Sequence, residues 1–375
     1  MYAAQGGYKE IFKLLLERGD TGSTNGGEAF MYAVKNGHKE VCELLLERDE
    51  TGKLNRYFWR ALMLAVGNGH REVCKLLLAK KVSINDVKEG GWTLLTLAAW
   101  KGYSDVCELL LNRGAEVDLE RADGRRALIL AAQNGHENVC KLLLSRRANV
   151  DAPSKYYWTA LMIAAQSGHE NICKLLLDNG ARANAVTRGR RTALMLASAK
   201  GYRGVCEMLI DAGALVDAVR EDGSTSLIIA ASGGHERVCE LLLDRGAEVN
   251  ITREDQSTAL MLAAQNGHKG VCELLIDRKA RLDASKANGD QALMLAAQRG
   301  NSLVCELLVN RGADINAERK DGNRALILAA QSGRQDVCEL LLNRGARADV
   351  TKEDGDRLFV LSAQNGHKGV CKLLL

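Results

Sequence analysis

The sequence predicts a mainly α fold, a solenoid of stacked helix-turn-helix units with projecting β-hairpin-like fingers. Three observations carry this. The stretch Thr258 to Ile276, TALMLAAQNGHKGVCELLI, returns in close copies that begin at Arg126, Thr159 and Arg324. From Cys74 onward each cysteine follows the last by 33 residues, through Cys371, and Cys42 precedes Cys74 by 32. A fixed period in this range marks a repeat array, whose units bury their apolar faces only against one another. Between the copies lie polar links with Asp-Gly pairs, Asp123-Gly124, Asp222-Gly223, Asp321-Gly322 and Asp354-Gly355, and such pairs favour tight turns.

Within one copy, Leu260, Ala263 and Ala264 fall at i, i+3 and i+4, and His268, Val271, Cys272 and Leu275 at i, i+3, i+4 and i+7. Each segment therefore carries one apolar helical stripe. Thr258 is placed to cap the first helix. Asn266-Gly267 follows a helical pattern, so Gly267 reads as a left-handed C-cap rather than a hairpin turn, and Gly246 ends a second helix in the same way. The paired alanines let the backbone of the next unit approach closely. The link Arg245 to Ser257 then reads as a projecting finger.

Taken in order, the chain enters partway through a first helix, since Ala3-Ala4-Gln5 matches Ala263-Ala264-Gln265, and stops inside a second helix at Leu375. Neither end has a polar cap, so the expectation is a segment of a longer array or an array whose ends dock on something. Residues 1–375 form a single array of about twelve repeats, with the first (1–22) and last (352–375) partial. The glycine-rich link Gly19 to Gly27 is short, because Phe12 stands only 30 residues before Cys42, and it is the expected irregular joint. The link Thr51 to Arg60 lacks Asp-Gly and carries Tyr57, Phe58 and Trp59. Trp92 lies in the next link, and Trp100 at the end of the helix after it. Arg125 and Arg126 follow, then Tyr156, Tyr157 and Trp158 near Pro153, the only proline, then Arg188, Arg190 and Arg191. Later fingers are ordinary acidic-basic mixtures.

The recurring D-G-x-T-x-L-x-x-A-A-x-x-G-H-x-x-V-x-x-L-L-L-x-x-G-A pattern resembles the ankyrin repeat over essentially the whole chain. The resemblance implies helix-turn-helix units plus hairpins stacked into a curved solenoid, and a role in binding. One departure is systematic. Ala160, Ala193, Ala259 and Ala325 stand where the family has proline, and Met162, Met195, Met261 and Ile327 where it has histidine. The proline's preset helix start is lost, and an apolar side chain replaces a polar tie. Similar Ala/Met-rich repeats occur in some protist ankyrin proteins, sometimes behind a protein-kinase domain, so a targeting segment of a larger protein is one reading.

No run of about 18 apolar residues is present, so no membrane span is expected. The N-terminus lacks the layout of a signal peptide. The net charge of +4 is mild and by itself gives little reason to expect nucleic acid. Eleven cysteines at one helical position should sit about 8–10 Å apart, beyond the roughly 7 Å that a disulfide spans. They read as small buried residues carrying free thiols, which places the chain in a reducing compartment, the cytoplasm. The single sequon, Asn250-Ile251-Thr252, is weak evidence against that.

All seven histidines lie four residues before a cysteine or, equivalently, open a second helix. That spacing can hold zinc, but two ligands per unit do not close a tetrahedral site, and identical repetition points to structure. No nucleotide-binding loop is present, and seven copies of one Cys-His active site are implausible. No catalytic residue, metal, cofactor or small-molecule substrate is expected.

The informative feature is the fingers. All four tryptophans fall in four consecutive repeats. Over the six residues before each first helix, the five fingers between residues 55 and 192 hold ten cations against two anions, +8, and the next five hold eight against nine, −1. Exposed Trp, Tyr and Arg are enriched at binding hot spots. The expected partner-binding residues are Tyr57, Phe58, Trp59, Trp92, Trp100, Arg125, Tyr156, Tyr157, Trp158, Arg188, Arg190 and Arg191. The expected function is a non-enzymatic protein-interaction scaffold that binds through its fingers and the inner face of its first helices, on a partner that presents an acidic, partly apolar surface. The alternatives are finger-to-finger packing and stacking on single-stranded nucleic acid.

Overall fold

The computed structural model describes residues 1–17, 26–49, 52–80, 82–87, 89–347, 359–360 and 362–374. Most of the Gly19–Gly27 link, Lys88 and the finger 352–357 lie outside the described residues. The chain divides into two compact units, Met1–Arg182 and Ala183–Leu375.

In the first unit the helix pairs are α1 (Tyr2–Gln5) and α2 (Lys9–Glu17), α3 (Gly26–Lys35) and α4 (Lys39–Glu47), and α5 (Phe58–Gly67) and α6 (Arg71–Leu78). They continue with α7 (Leu94–Lys101) and α8 (Ser104–Asn112), α9 (Ala127–Gln133) and α10 (Glu137–Ser145), and α11 (Ala160–Ser167) and α12 (Glu170–Asp178). The second unit holds α13 (Ala193–Ser198) and α14 (Arg203–Asp211), α15 (Ser226–Ser232) and α16 (Glu236–Asp244), and α17 (Ala259–Asn266) and α18 (Lys269–Asp277). After these come α19 (Ala292–Arg299) and α20 (Ser302–Asn310), α21 (Ala325–Gln331) and α22 (Gln335–Asn343), and a last helix, α23 (Lys368–Leu374). Within each unit the first helices of successive pairs pack on one another more extensively than the second helices do.

The alanine pairs explain that asymmetry. Ala98-Ala99, Ala131-Ala132, Ala263-Ala264 and Ala296-Ala297 are all fully buried. With only a methyl group each, they admit the neighbouring helix where a longer side chain would hold it off. Ala263→Leu is therefore expected to cost about 1–3 kcal/mol by overpacking, read as a fall in the urea midpoint. An unchanged midpoint would mean that the helices can move apart freely.

Helix ends are set locally. Thr258 accepts from the Met261 amide at 3.2 Å, and Thr192 from the Met195 amide at 3.2 Å. Thr93 forms a full capping box with Thr96. Gly267 takes φ +81° and ends α17 in the left-handed conformation, as its sequence position predicts. The methionines in place of histidine, Met162, Met195 and Met261, are buried.

The fingers are hairpin-like turns, and no strand is formed among the described residues. Those between residues 121 and 323 close on themselves: the Arg121 amide donates to the Arg125 carbonyl at 3.0 Å and the Gly124 amide to the Arg121 carbonyl at 2.8 Å. One closing pair is too short a ladder for a β-strand. Successive tips touch, as where the Lys155 amide donates to the Asp123 carbonyl (3.3 Å) and the Glu254 amide to the Asp222 carbonyl (3.1 Å). At the finger bases a second ladder runs through Asn and Asp side chains. Asn85 accepts from the Glu116 amide at 3.0 Å, and Asn250 from the Arg281 amide at 2.9 Å. The sequon asparagine is thus part of this ladder.

The link from Thr51 departs from the expected pattern. It carries a 3-10 turn, Lys53–Tyr57, and α5 begins at Phe58, so Phe58 and Trp59 are helical residues and not finger residues.

The ten cysteines from Cys42 to Cys338 are free and buried, while Cys371 is half-buried, a correction to the expectation that all eleven are enclosed. Burial pushes the thiols up to about 12, as at Cys107 and Cys272, and Cys206, which shares a hydrogen bond with Ser198, to about 11.

Candidate functional site

The repeated histidines have a geometric role. Each ring reaches back to the preceding unit: His38 Nε2 lies 2.9 Å from the Gln5 carbonyl, His136 Nε2 3.0 Å from that of Trp100, and His268 Nε2 3.1 Å from that of Ser232. These carbonyls belong to residues at or next to the end of a first helix, where the helical ladder leaves acceptors unmet. Of the residues that replace histidine, Asn301 and Arg334 make the same tie. Among the described residues no group of three or more His, Cys, Asp or Glu side chains is placed to hold a metal ion.

The structure sorts the aromatic and basic finger residues by what their side chains do. In the first unit Trp92 and Trp100 pack together, ring centroids 5.5 Å apart, and the Arg121 guanidinium stacks 3.6 Å above Trp92. Burial lowers the Arg121 pKa, since a desolvated guanidinium holds its proton less well. Lys101 covers the Trp100 ring at 4.5 Å. Phe58 packs on Phe30 with centroids 6.2 Å apart. Arg125 is held by Asp123 at 2.8 Å and by Gln133 at 3.1 Å. Burial raises the Asp123 carboxyl, and the Arg125 hydrogen bonds outweigh it and leave the pKa below its ordinary value. Arg126 reaches the Pro153 carbonyl at 2.8 Å and Glu120 at 3.0 Å. Much of the +8 counted along the fingers is therefore engaged within the fold.

Tyr57 lies across Gly27, where a Cβ would come within 2.5 Å of the ring. With Arg60 it borders a groove of about 800 Å³ between α3 and α5, lined also by Met31, Tyr32, Met63 and Leu64. Met63 occupies the repeat position of Met162 and Met261, yet it is half-buried where they are enclosed. Met31 and Ile327, at the same repeat position, are half-buried too. Trp59 and Trp158 are half-buried.

Two tips remain open. In the first unit Tyr156 and Tyr157 are each 58% exposed, next to exposed Lys155. In the second unit Arg188, Arg190 and Arg191 are all exposed. Tyr157 and Arg190 hold φ +62° and +56° at the finger position filled by Gly124, Gly223, Gly289 and Gly322 elsewhere. A non-glycine residue there costs about 1–2 kcal/mol. Gln256 shares the conformation at φ +63° in an ordinary finger, so strain alone marks no site. The exposed, unpartnered tyrosines and arginines distinguish these two tips.

No helix among the described residues is long and apolar enough to cross a membrane. No curated protein matches the chain. The sequence profile of ankyrin repeats in three copies matches residues 1–88, 50–121, 95–187, 183–253, 251–319 and 293–375. Together these ranges span the chain, and the helix pairs, turn glycines and back-reaching histidines repeat through both units in the same register; the chain belongs to the ankyrin-repeat family.

Proposed function

We propose that this chain is a non-enzymatic scaffold that binds a partner protein through its exposed finger tips, the partner presenting an acidic, partly apolar surface. Ankyrin repeats in general are protein–protein interaction modules. The observation that carries the finer reading is the tip 154–158. Its turn is closed by the Tyr157 amide donating to the Ser154 carbonyl at 2.9 Å. Two tyrosine rings stand in solvent on it, one of them in a conformation that glycine would adopt more cheaply. Tyrosine offers a large, rigid, amphipathic contact at low entropic cost, and Lys155 favours an acidic neighbour. The basic tip 187–191 of the second unit offers a further attachment point of the same sign. Trp92 and Arg125 brace the fingers, exposed Trp100 stands beside Trp92 at the end of α7, and Tyr57 and Arg60 border the groove that extends the surface onto the first helices. The free thiols fit a reducing compartment such as the cytoplasm.

The test is titration with acidic peptides containing aromatic or aliphatic residues, in parallel with single-stranded oligonucleotides. Replacing Tyr156 and Tyr157 together by Ser and Gly should weaken peptide binding by roughly 2 kcal/mol or more without lowering the melting temperature. Gln256→Gly, the matched change in an ordinary finger, should leave binding unchanged. Oligonucleotide binding that is tighter than peptide binding, with a steep salt dependence, would overturn the assignment.

A further inference from the structure

We infer that the finger tip Thr187–Arg191 is a phosphoryl-recognition site for a phosphorylated side chain on the partner protein, a deepening that rests on the protein-partner reading above. The tip is a tight, self-closed turn. The Thr187 amide donates to the Arg191 carbonyl at 3.0 Å, the Arg190 amide to the Thr187 carbonyl at 2.9 Å, and the Arg191 amide to Thr187 Oγ1 at 3.1 Å. Thr187 is buried and fixes the base, while the three arginine side chains project into solvent.

Among the described residues, the cation that opens each of the next four fingers of the second unit is paired internally. Arg220 pairs with Asp222, Arg253 with Asp222 at 3.2 Å, Lys286 with Asp255 at 3.2 Å, and Arg319 with Asp290 at 3.4 Å. In the tip 187–191 both halves of that arrangement are replaced. Buried Thr187 stands where those fingers have Arg or Lys, and Gly189 stands where they have Asp222 and Asp255. Three guanidiniums thus lie within four residues, and none has a carboxylate partner. Arg190 is held at φ +56°, where Gly223, Gly289 and Gly322 serve the same turn.

Three exposed arginines on one five-residue turn raise the local positive potential, and the anion that gains most from it concentrates charge and acceptors in one group. A phosphomonoester carries close to two negative charges and three acceptor oxygens, and guanidiniums bind it in bidentate fashion. A single carboxylate offers half the charge. A nucleic acid spreads one charge per phosphate along a chain, and the next fingers confront such a chain with exposed Glu221 and Glu254. One carboxylate borders the tip: Glu221 Oε2 lies 3.9 Å from where a Cβ on Gly189 would stand. It should oppose the ligand.

The experiment measures binding of the full chain to peptide pools randomised around one fixed central residue: serine, glutamate or phosphoserine. The phosphoserine pool should bind at least about tenfold more tightly than the glutamate pool. Arg190→Gly should abolish that preference while raising the melting temperature, because it relieves the left-handed strain. Gln256→Gly should raise stability alone, and Glu221→Gln should tighten phosphopeptide binding. Equal affinity for glutamate and phosphoserine pools would overturn the phosphoryl assignment and leave an acidic partner standing. Phosphopeptide affinity unchanged in Arg190→Gly and Arg188→Ala together would overturn the location. An oligonucleotide displacing the phosphopeptide at lower concentration would overturn the protein-borne source.

Discussion

Raising the pH from about 8 to about 10 is expected to lower the stability of this protein steeply. The cause is the column of enclosed thiols. Nine of the ten buried cysteines, Cys42 and Cys338 among them, are pushed by burial from 9.0 to about 12. An acid whose folded pKa lies above its unfolded one leaves stability intact below the unfolded value. Above it the unfolded chain releases protons that the folded chain keeps, so stability falls with rising pH. The window opens near 9 and runs to about 12. At a pH of about 10 each thiol costs about 1.4 kcal/mol, roughly one pKa unit. Five such thiols in the first unit sum to about 7 kcal/mol, comparable to the whole stability of an ordinary domain. Urea midpoints followed by circular dichroism between pH 8 and 10 should fall steeply. Replacing Cys107 and Cys140 by alanine should remove about 3 kcal/mol of that fall. A midpoint independent of pH over this range would show that the thiols are not enclosed as described.

Gly102→Ala is expected to destabilise the first unit by about 2–4 kcal/mol, with two separable parts. Gly102 ends α7 at φ +84°, which costs an alanine about 1–2 kcal/mol. A Cβ there would also lie 2.5 Å from His136 Nδ1. The ring cannot easily retreat, because its other nitrogen is held 3.0 Å from the Trp100 carbonyl. In a His136→Ala background the steric part disappears, and Gly102→Ala should then cost only the backbone part. The cycle should show a coupling of about 1–2 kcal/mol. Additive costs would mean that the ring and the turn glycine do not meet. The same contact recurs between Gly37 and His70 and between Gly234 and His268, so at these junctions the glycine and the histidine of the following repeat act as a pair. The two residues are adjacent in the repeat motif, yet the contact joins different copies.

The sequence determined the repeat, the two helices of each unit, the left-handed glycines and the burial of the cysteines. It could do so because a repeat packs mainly on copies of itself, so a residue's environment follows from its place in the motif. The boundary at Phe58 escaped this logic, because the link before it folds as a 3-10 turn, Lys53–Tyr57, that runs straight into the helix instead of a closed finger.

The tertiary structure alone decided which finger residues are free. Arg121, Arg125 and Arg190 look equivalent as letters in basic fingers. The first stacks on Trp92, the second is held by Asp123 and Gln133, and the third stands in solvent. Residue type fixes what a side chain can bind. Whether a partner on its own finger or the next one already claims it depends on ångström-scale reach between turns about 30 residues apart in sequence, as between Arg121 and Trp92. The same holds for Met63, left half-buried beside the groove while its counterparts Met162 and Met261 are enclosed. The motif specifies the position of each side chain in the stack, and packing between neighbouring fingers specifies which of them remains open to a partner.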